Sequence, residues 1–220
     1  MTDDGRRAGT ASVTSPRLVL GSASPARRAV LVAAGLHPEV VVSGVDEDAV
    51  EADSPAELAG VLARHKAEAV SALVGPAAGR PTLVVACDSL LEMGGRAYGK
   101  PLDAAEAVRR WHRMRGSTGV VHTGHHVTLV APAGDPAPPR TAAAVGSTVV
   151  HFATPDDAEI EAYVGTGEPL RAAGAFSLGG LGGAFVTGVE GDPHNVVGIS
   201  LPLLRELLAS LGVGWASLWH

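Results

Sequence analysis

Residues 17–36 read RLVLGSASPARRAVLVAAGL, and this stretch predicts a strand, a tight turn and a helix. The apolar run at 17–21 is strand-like, Pro25 suits the first turn of a helix, and Gly35 suits the point where a helix stops. A strand that leads through a short turn into a helix is the repeating unit of α/β folds. The stretch therefore predicts the α/β class.

The turn of this unit brings together groups that bind phosphate. Ser22 and Ser24 supply hydroxyls, Arg27 and Arg28 supply guanidiniums, and the helix supplies free amides at the positive end of its dipole. The pattern predicts a binding site for a phosphate chain. In the alternative interpretation, Ser24 only caps the helix and solvent surrounds both arginines.

Strand and helix patterns continue to alternate after this unit, and two long strand-like segments then pair as a hairpin. The segment TLVVACD is apolar enough for a central strand that is covered on both faces. The predicted elements are strands at 38–44, 82–88, 119–131 and 141–153 and helices at about 54–73, 103–115, 154–164 and 200–211. Together they predict an α/β fold with a mixed sheet.

Length and composition predict a single domain. The chain has 220 residues, of which 46% are hydrophobic, and this is enough to bury one sizeable core or two small lobes around a cleft. Residues 17–213 are predicted to form the domain. A polar, aperiodic stretch at 1–16 predicts a flexible N-terminal tail, and residues 214–220 are predicted to be a C-terminal tail.

Charge and cysteine usage exclude several classes of protein. The formal net charge of −6 opposes non-specific binding to nucleic acid or to an anionic membrane, because both need a basic surface. No apolar run approaches the length of a membrane span. The single cysteine, Cys87, excludes an internal disulfide and a Cys-rich zinc site. We therefore expect a cytoplasmic protein that binds neither nucleic acid nor membrane.

Asp88 is a candidate catalytic or metal-binding carboxylate. It ends the predicted central strand at 82–88, and ligands of open α/β sheets gather beyond the carboxyl ends of strands. A carboxylate at that point can hold a divalent cation or orient water. Glu47 lies in an acidic loop after the second strand and is the candidate for a second metal ligand, whereas an ordinary solvated loop is the preferred interpretation of Asp46 and Asp48.

Only two of the 17 basic side chains are lysines, Lys66 and Lys100, so either lysine is required by the chemistry or its retention is chance. The segment GGRAYGK at 94–100 has the spacing of a P-loop, but Pro101 stands where a Ser or Thr should bind magnesium. A Walker motif is therefore rejected. Lys100 remains a candidate active-site ammonium beside a rigid proline, and the alternative is a lysine in a surface turn.

A glycine run and a histidine cluster complete the candidate motifs. GGLGG at 179–183 resembles a dinucleotide-binding loop and suggests an NAD-dependent oxidoreductase, although no βαβ unit surrounds it. Strand alternation sends His122 and His126 to one face and His125 to the other. Because no third metal ligand accompanies them, they are predicted to be partly exposed strand histidines.

The motifs taken together resemble the Maf family of nucleoside triphosphate pyrophosphatases. The resemblance is carried, in the family's order, by LVLGSASPARRAVLVAAG, VDE, ARHKAEA, ACDSLL, GKPLDAAEA, AGAFSLGGLGG and EGDPHNVVGISLPLL. It covers nearly all of the chain from Arg17 to Leu211. The resemblance implies a two-lobed α/β fold with a mixed sheet and a central cleft, related to the inosine triphosphate pyrophosphatases and commonly a homodimer.

The resemblance also implies a reaction. A nucleoside triphosphate would be hydrolysed to the monophosphate and pyrophosphate, with Mg²⁺ or Mn²⁺ as cofactor. By position, it implies a phosphate-binding loop at Ser24, Arg27 and Arg28 and active-site groups at Glu47, Asp88 and Lys100. Asp88 would act as the acid/base or metal-binding carboxylate.

Two positions depart from the commonest pattern of the family. Ala26 stands where many members have the first Arg of an S-P-R-R run, and Gly179 stands in the base-binding region, where the branch that cleaves thymidine and uridine nucleotides typically has Gln. The missing side chain at Gly179 puts base selectivity in question. The alternative function is a nucleotide-binding regulator of septum formation that lacks significant turnover.

Overall fold

The computed structural model describes residues 15–47 and 49–219. Most of the predicted N-terminal tail, residues 1–14, lies outside the described residues, as do Asp48 and His220. The strands are β1 (Arg17–Leu20), β2 (Glu39–Val40), β3 (Thr82–Met93), β4 (Arg96–Tyr98), β5 (Thr118–Val130), β6 (Arg140–Phe152) and β7 (Val186–Glu190). The α-helices are α1 (Pro25–Ala33), α2 (Pro55–Val74), α3 (Ala104–Met114), α4 (Asp157–Gly165), α5 (Pro193–Val197) and α6 (Leu201–Ser210).

The strands form one mixed sheet in the order β2-β1-β3-β5-β6-β7, with β4 paired to β3. β1 is parallel to both β2 and β3, whereas the β3–β4, β3–β5, β5–β6 and β6–β7 pairs are antiparallel. Helix α2 packs on one face through Val70, and α6 packs on the other face through Leu204 and Leu208. The predicted α/β class with a mixed sheet is confirmed.

One edge of β3 is shared by two short strands, and a gap lies between them. β1 pairs with the start of β3 at Thr82–Val85, and β4 pairs with its end at Leu91–Met93. Residues 86–90 therefore have no strand partner on this edge, while β5 pairs with β3 continuously along the other edge. The sheet is thus split where β1 ends and β4 begins.

Asp88 lies in the middle of β3, facing this gap, and not at the end of the strand as predicted. The apolar run stops at residue 88, but the antiparallel ladder with β5 carries the strand on to Met93. Pairing with a long neighbour therefore overrides the local hydrophobic pattern. The consequence is a carboxylate on a rigid strand that is fixed from both ends.

Two hydrophobic cores lie along β3, one before and one after the gap. The first includes Leu83 and Val85 of β3, and the second includes Leu91 of β3 together with Trp111 of α3. Between them, Ser89 is hydrogen-bonded to Thr123 of β5 at 2.9 Å. A polar contact in β3 thus separates the two cores, and the two predicted lobes stay a prediction.

The C-terminal segment differs from the predicted tail. Residues Trp215–Leu218 form a 3-10 helix, and Leu218 is buried in the first core. The indole N–H of Trp219 donates to the carbonyl of Ala34 at 3.1 Å. Apolar side chains therefore hold residues 214–219 against the domain. Within the described residues, no helix is both long enough and apolar enough to cross a membrane.

Candidate active site

A buried lysine joins the two carboxylates that the sequence proposes as metal ligands. Lys66 projects from α2, and its Nζ lies 2.5 Å from Asp88 Oδ1 and 2.7 Å from Glu47 Oε1. Lys66 is 8% exposed and Asp88 is 5% exposed, whereas Glu47 lies at the surface. The structure therefore brings Asp88 and Glu47 together through an ammonium group that the sequence analysis assigned to no role.

The surroundings of Asp88 favour a base. Burial raises the pKa of the Asp88 carboxyl group, and the nearby charges of Lys66 and Arg27 offset only part of that rise. A carboxylate whose pKa lies closer to neutral pH accepts a proton more readily than an exposed aspartate does. The arrangement therefore suits general-base activation of a water molecule.

Arg27 ties the turn after β1 to β3 and to the end of α5. Its Nη1 donates to Ser22 Oγ at 3.0 Å, its Nη2 donates to Ser89 Oγ at 2.9 Å, and its Nε donates to the carbonyl of Gly198 at 2.7 Å. An arginine side chain has about five N–H groups, so some of these donors remain for a ligand. Arg27 thus holds the predicted phosphate loop in a fixed shape beside Asp88.

The other three members of the predicted phosphate loop are Ser22, Ser24 and Arg28, and they have different surroundings. Ser24 caps α1, because its Oγ accepts a hydrogen bond from the amide of Arg27 at 3.4 Å. Ser22 is buried, and its Oγ also accepts from the amide of Ser24 at 3.2 Å. Arg28 is exposed and makes no hydrogen bond or ion pair with the described part of the chain. Its guanidinium is therefore available to a ligand.

Lys100 approaches the gap from the opposite end. Leu91 pairs with Tyr98, so the chain that follows β4 runs back along β3 towards Ser89. The carbonyl of Gly99 accepts hydrogen bonds from Arg110 Nη1 at 2.6 Å and from the amide of Gly174 at 3.0 Å, which fixes the backbone beside Lys100. The Lys100 ammonium is exposed and has no bonded partner among residues 15–47 and 49–219. The structure does not bring it into contact with Asp88 or Glu47.

The two positions that depart from the expected pattern line the same cavity. A cavity of about 400 Å³ lies between α1 and the loop that contains Gly179. Ala26 lines one wall and Gly179 lines the other, and a side chain at Gly179 would enter open space. The remaining lining residues are Ala29, Val30, Ala33, Ala34, Ser177, His194, Val197 and Leu201. The cavity is mainly apolar and is wide on the side of Gly179.

Comparison with known proteins matches residues 17–211 to the family described as Maf, Maf-like protein. The chain belongs to the Maf family. A relative from Salinispora tropica, named nucleoside triphosphate pyrophosphatase, is 56% identical over 203 residues, covering 92% of this chain and 87% of the relative. A protein of the same name from Streptomyces coelicolor is 53% identical over 207 residues, covering 92% of this chain and 94% of the relative.

A solved structure of a HAM1 protein from Coxiella burnetii covers 64% of this chain and 74% of that chain, with 19% identity and a TM-score of 0.34. The match over residues 17–211 and the relatives that are 56% and 53% identical in sequence support the family assignment.

Lys66 is a residue of the candidate site to which the sequence analysis assigned no role. The available signal was its rarity, since lysine occurs twice among 17 basic side chains and both lysines fall in Maf motifs. Its partner Asp88 is 22 positions away, and only the packing of α2 across β3 brings the two together. Sequence spacing alone does not reveal that contact.

The glycine run of this Maf chain does not form a dinucleotide-binding loop. The amides of Leu181 and Gly182 donate to the carboxylate of Glu168 at 3.0 and 2.9 Å, so they face a protein anion. The run leads through a 3-10 helix into β7, and no βαβ unit surrounds it. The structure therefore gives the NAD hypothesis no support.

The three strand histidines are buried, so the prediction of partial exposure is wrong. The His125 ring accepts from the amide of Ser200 at 2.8 Å, and burial lowers the pKa of His125 to about 4, which keeps the ring neutral. His122 is hydrogen-bonded to Glu92 and to Ser147, each at 2.8 Å. Helices packed on both faces of β5 account for this burial. Within the described residues, no group of three or more His, Cys, Asp or Glu side chains is arranged to hold a metal ion.

Proposed function

We propose that this chain hydrolyses nucleoside triphosphates to nucleoside monophosphates and pyrophosphate, by attack of water at the α-phosphorus. The observation that carries the proposal is the buried Asp88 carboxylate, with its raised pKa, beside the loop that begins at Ser22. The relatives from Salinispora and Streptomyces, which carry the name nucleoside triphosphate pyrophosphatase, support the same activity. The alternative role as a regulator without turnover has no comparable support.

The residues around the gap have different roles in this reaction. Asp88 takes a proton from the attacking water, and Lys66 holds the carboxylate in place through its 2.5 Å contact. Arg28 and Lys100, which have no bonded partner in the described part of the chain, stabilise negative charge on the triphosphate and on the leaving pyrophosphate. Arg27 keeps the Ser22 loop in position through its three hydrogen bonds.

A divalent cation fits the carboxylates of this site. Asp88 and Glu47 each bind Lys66 through one oxygen, and the second oxygen of each accepts no hydrogen bond from the described residues. Mg²⁺ is commonly bound in proteins by one or two carboxylates together with substrate phosphates. We propose that Asp88 and Glu47 hold Mg²⁺ or Mn²⁺ when the triphosphate is present. Such an ion supplies positive charge to the phosphate oxygens.

Net charge and cysteine chemistry bear on where the enzyme works and on what it binds. A net charge of −6 opposes non-specific binding to nucleic acid, so a polyanion such as a free nucleotide must be bound by a local group of basic side chains. Burial raises the pKa of the single Cys87 thiol to about 12, so it is a packing group and not a nucleophile. We propose a cytoplasmic enzyme. The homodimer expected from the Maf resemblance stays a prediction.

The first prediction concerns the products. The purified chain with Mg²⁺ or Mn²⁺ is incubated with standard and modified nucleoside triphosphates, and pyrophosphate and orthophosphate are measured separately. We expect equal amounts of pyrophosphate and nucleoside monophosphate, because the leaving group is pyrophosphate. Release of orthophosphate and diphosphate contradicts the proposal, since those products require attack at the γ-phosphorus. Tight binding without turnover favours the regulator.

The second prediction concerns base selectivity. Gly179→Gln places an amide in the open side of the cavity, where it can both donate to and accept from the edge of a pyrimidine base. We expect the wild type to hydrolyse several triphosphates, and the variant to favour dTTP and UTP over purine triphosphates by about fivefold to tenfold more than the wild type does. The measurement is kcat/KM for each substrate.

Gly179→Ala is the matched control, because its methyl group meets nothing within 4 Å and offers no hydrogen bond. It is expected to keep the wild-type selectivity. A wild-type enzyme that is already strict for dTTP and UTP contradicts the prediction. The same conclusion follows if Gly179→Gln and Gly179→Ala have identical selectivity.

A further inference from the structure

A tyrosine and a glutamate outside the gap hold the loop that lines the cavity. Glu168 Oε1 accepts hydrogen bonds from the Tyr163 hydroxyl at 2.8 Å and from the amide of Gly182 at 2.9 Å, and its Oε2 accepts from the amide of Leu181 at 3.0 Å. The Tyr163 hydroxyl accepts in turn from the amide of Ser177 at 3.3 Å. Both ends of the segment 177–182 are therefore bound to the same pair of side chains.

Two glycines of this segment are required by how closely it approaches the pair. A β-carbon at Gly182 would overlap the Tyr163 hydroxyl, and a β-carbon at Gly180 would overlap the Glu168 carboxylate. No such contact exists at Gly179, where a side chain would enter open space. The glycine pattern thus reflects a loop wrapped around Glu168 on one side and open to the cavity on the other.

The segment presents its free groups to the cavity. Ser177 and Gly179 line it, opposite Ala26 of α1, while the amide of Ser177 is bound to Tyr163. The Ser177 hydroxyl makes no hydrogen bond with the described residues and is left for a ligand. Neither Glu168 nor Tyr163 lines the cavity. They can affect a nucleoside there only through the position of the segment.

We propose that Glu168 is a positioning residue that holds the loop 177–182 against the nucleoside part of the substrate. The residues around the gap carry out the phosphate chemistry. The proposal rests on the proposed function, since the cavity would take the base and sugar of a nucleotide. Glu168 then controls nucleoside affinity and base selectivity. It has no part in the proton transfer at Asp88.

The protonation state of Glu168 supports this role. Burial acts to raise the pKa of Glu168. Hydrogen bonds from the amides of Gly182 and Leu181 and from the Tyr163 hydroxyl lower this pKa, and together they outweigh the effect of burial, so the net shift is downward. The folded loop therefore binds the ionised carboxylate in preference to the neutral acid. A group with a lowered pKa stabilises the fold above its unfolded pKa, and this contribution is lost as the pH falls through the folded pKa.

The test compares Glu168→Gln with Glu161→Gln. The first variant keeps the shape of the side chain but replaces one accepting oxygen with an N–H donor that faces a backbone amide. The second makes the same chemical change at an exposed residue of α4 that makes no hydrogen bond or ion pair with the described part of the chain. Tyr163→Phe, which removes only a hydroxyl, is a second variant in case Glu168→Gln folds poorly.

We expect Glu168→Gln to raise KM by about tenfold or more, because it disrupts hydrogen bonds to a charged group, while kcat stays within about twofold. Tyr163→Phe raises KM in the same direction, and Glu161→Gln leaves it unchanged. The inhibition constant of tripolyphosphate, which has no base or sugar, stays at the wild-type value in all three variants. A fall in kcat together with weaker tripolyphosphate inhibition overturns the proposal, since it would show a general structural role.

Binding measured by calorimetry separates this proposal from the proposed function. The dissociation constants are measured for tripolyphosphate and for whichever of the four ribonucleoside monophosphates the wild type binds best. Weaker binding of the monophosphate alone in Glu168→Gln supports the positioning role, even if the wild type turns over no triphosphate. Unchanged monophosphate binding in both Glu168→Gln and Tyr163→Phe overturns it, whatever the activity of the wild type.

Discussion

Asp88→Asn is expected to lower kcat by about 10²- to 10⁴-fold, the loss typical when acid/base catalysis is removed. The substitution keeps the size of the side chain and removes the negative charge that would accept a proton from water. The chain is expected to stay folded, because burying a neutral amide is less unfavourable than burying a carboxylate, and Lys66 keeps Glu47 as a partner at 2.7 Å. The measurement is steady-state kinetics together with a thermal unfolding curve.

Asp135→Asn is the matched control for this loss. Asp135 lies in the exposed loop between β5 and β6, where its carboxylate accepts a hydrogen bond from the amide of Ala137 at 2.9 Å. This variant is expected to keep the wild-type kcat. A folded Asp88→Asn variant with near-normal turnover would remove Asp88 from the catalytic machinery and leave it as a structural partner of Lys66.

Lys66→Met is expected to lower kcat/KM by about 10²- to 10³-fold, the loss measured when one preorganised donor is removed from an active site. It is also expected to change the pH dependence. The Lys66 ammonium holds the pKa of Asp88 below the value that burial alone would give, so its removal raises that pKa further. The acidic limb of the kcat/KM profile should therefore move to higher pH.

Lys66→Arg separates the charge of this side chain from its shape. Its guanidinium keeps the positive charge near Asp88, so the acidic limb is expected to lie close to that of the wild type even though the different shape lowers the rate. If Lys66→Met retains the wild-type pH profile, Lys66 does not control the protonation of Asp88. The two variants are best compared over the same pH range with one substrate.

Local patterns predicted the first unit of the fold correctly. The strand at Arg17–Leu20, the cap at Ser24 and the helix from Pro25 all depend on neighbouring residues, and the structure confirms them. The pairing of β5 with β6 is also predicted, from two long strand-like segments that a single exposed loop connects, and the structure shows them as an antiparallel pair. Such features can be read from sequence because the interactions that form them lie within a few residues or across one turn.

Features that depend on tertiary contacts could not be predicted in the same way. The extension of β3 to Met93 follows from its ladder with β5, and the apolar run that ends at Asp88 does not predict this extension. The contact of Lys66 with Asp88 requires α2 to cross the sheet. Burial of Leu218 likewise needs a core that is assembled from distant elements. The roles of Glu47 and Lys100 stay predictions until variants are measured.

Hydrolysis in water enriched in ¹⁸O tests the central claim most directly, because it reports which phosphorus atom the water attacks. The wild-type chain, a divalent cation and a nucleoside triphosphate react in the labelled water, and both products are analysed by mass spectrometry. Attack at the α-phosphorus, beside Asp88, predicts one ¹⁸O atom in the nucleoside monophosphate and none in the pyrophosphate. Label in the pyrophosphate, or in released orthophosphate, would contradict the account.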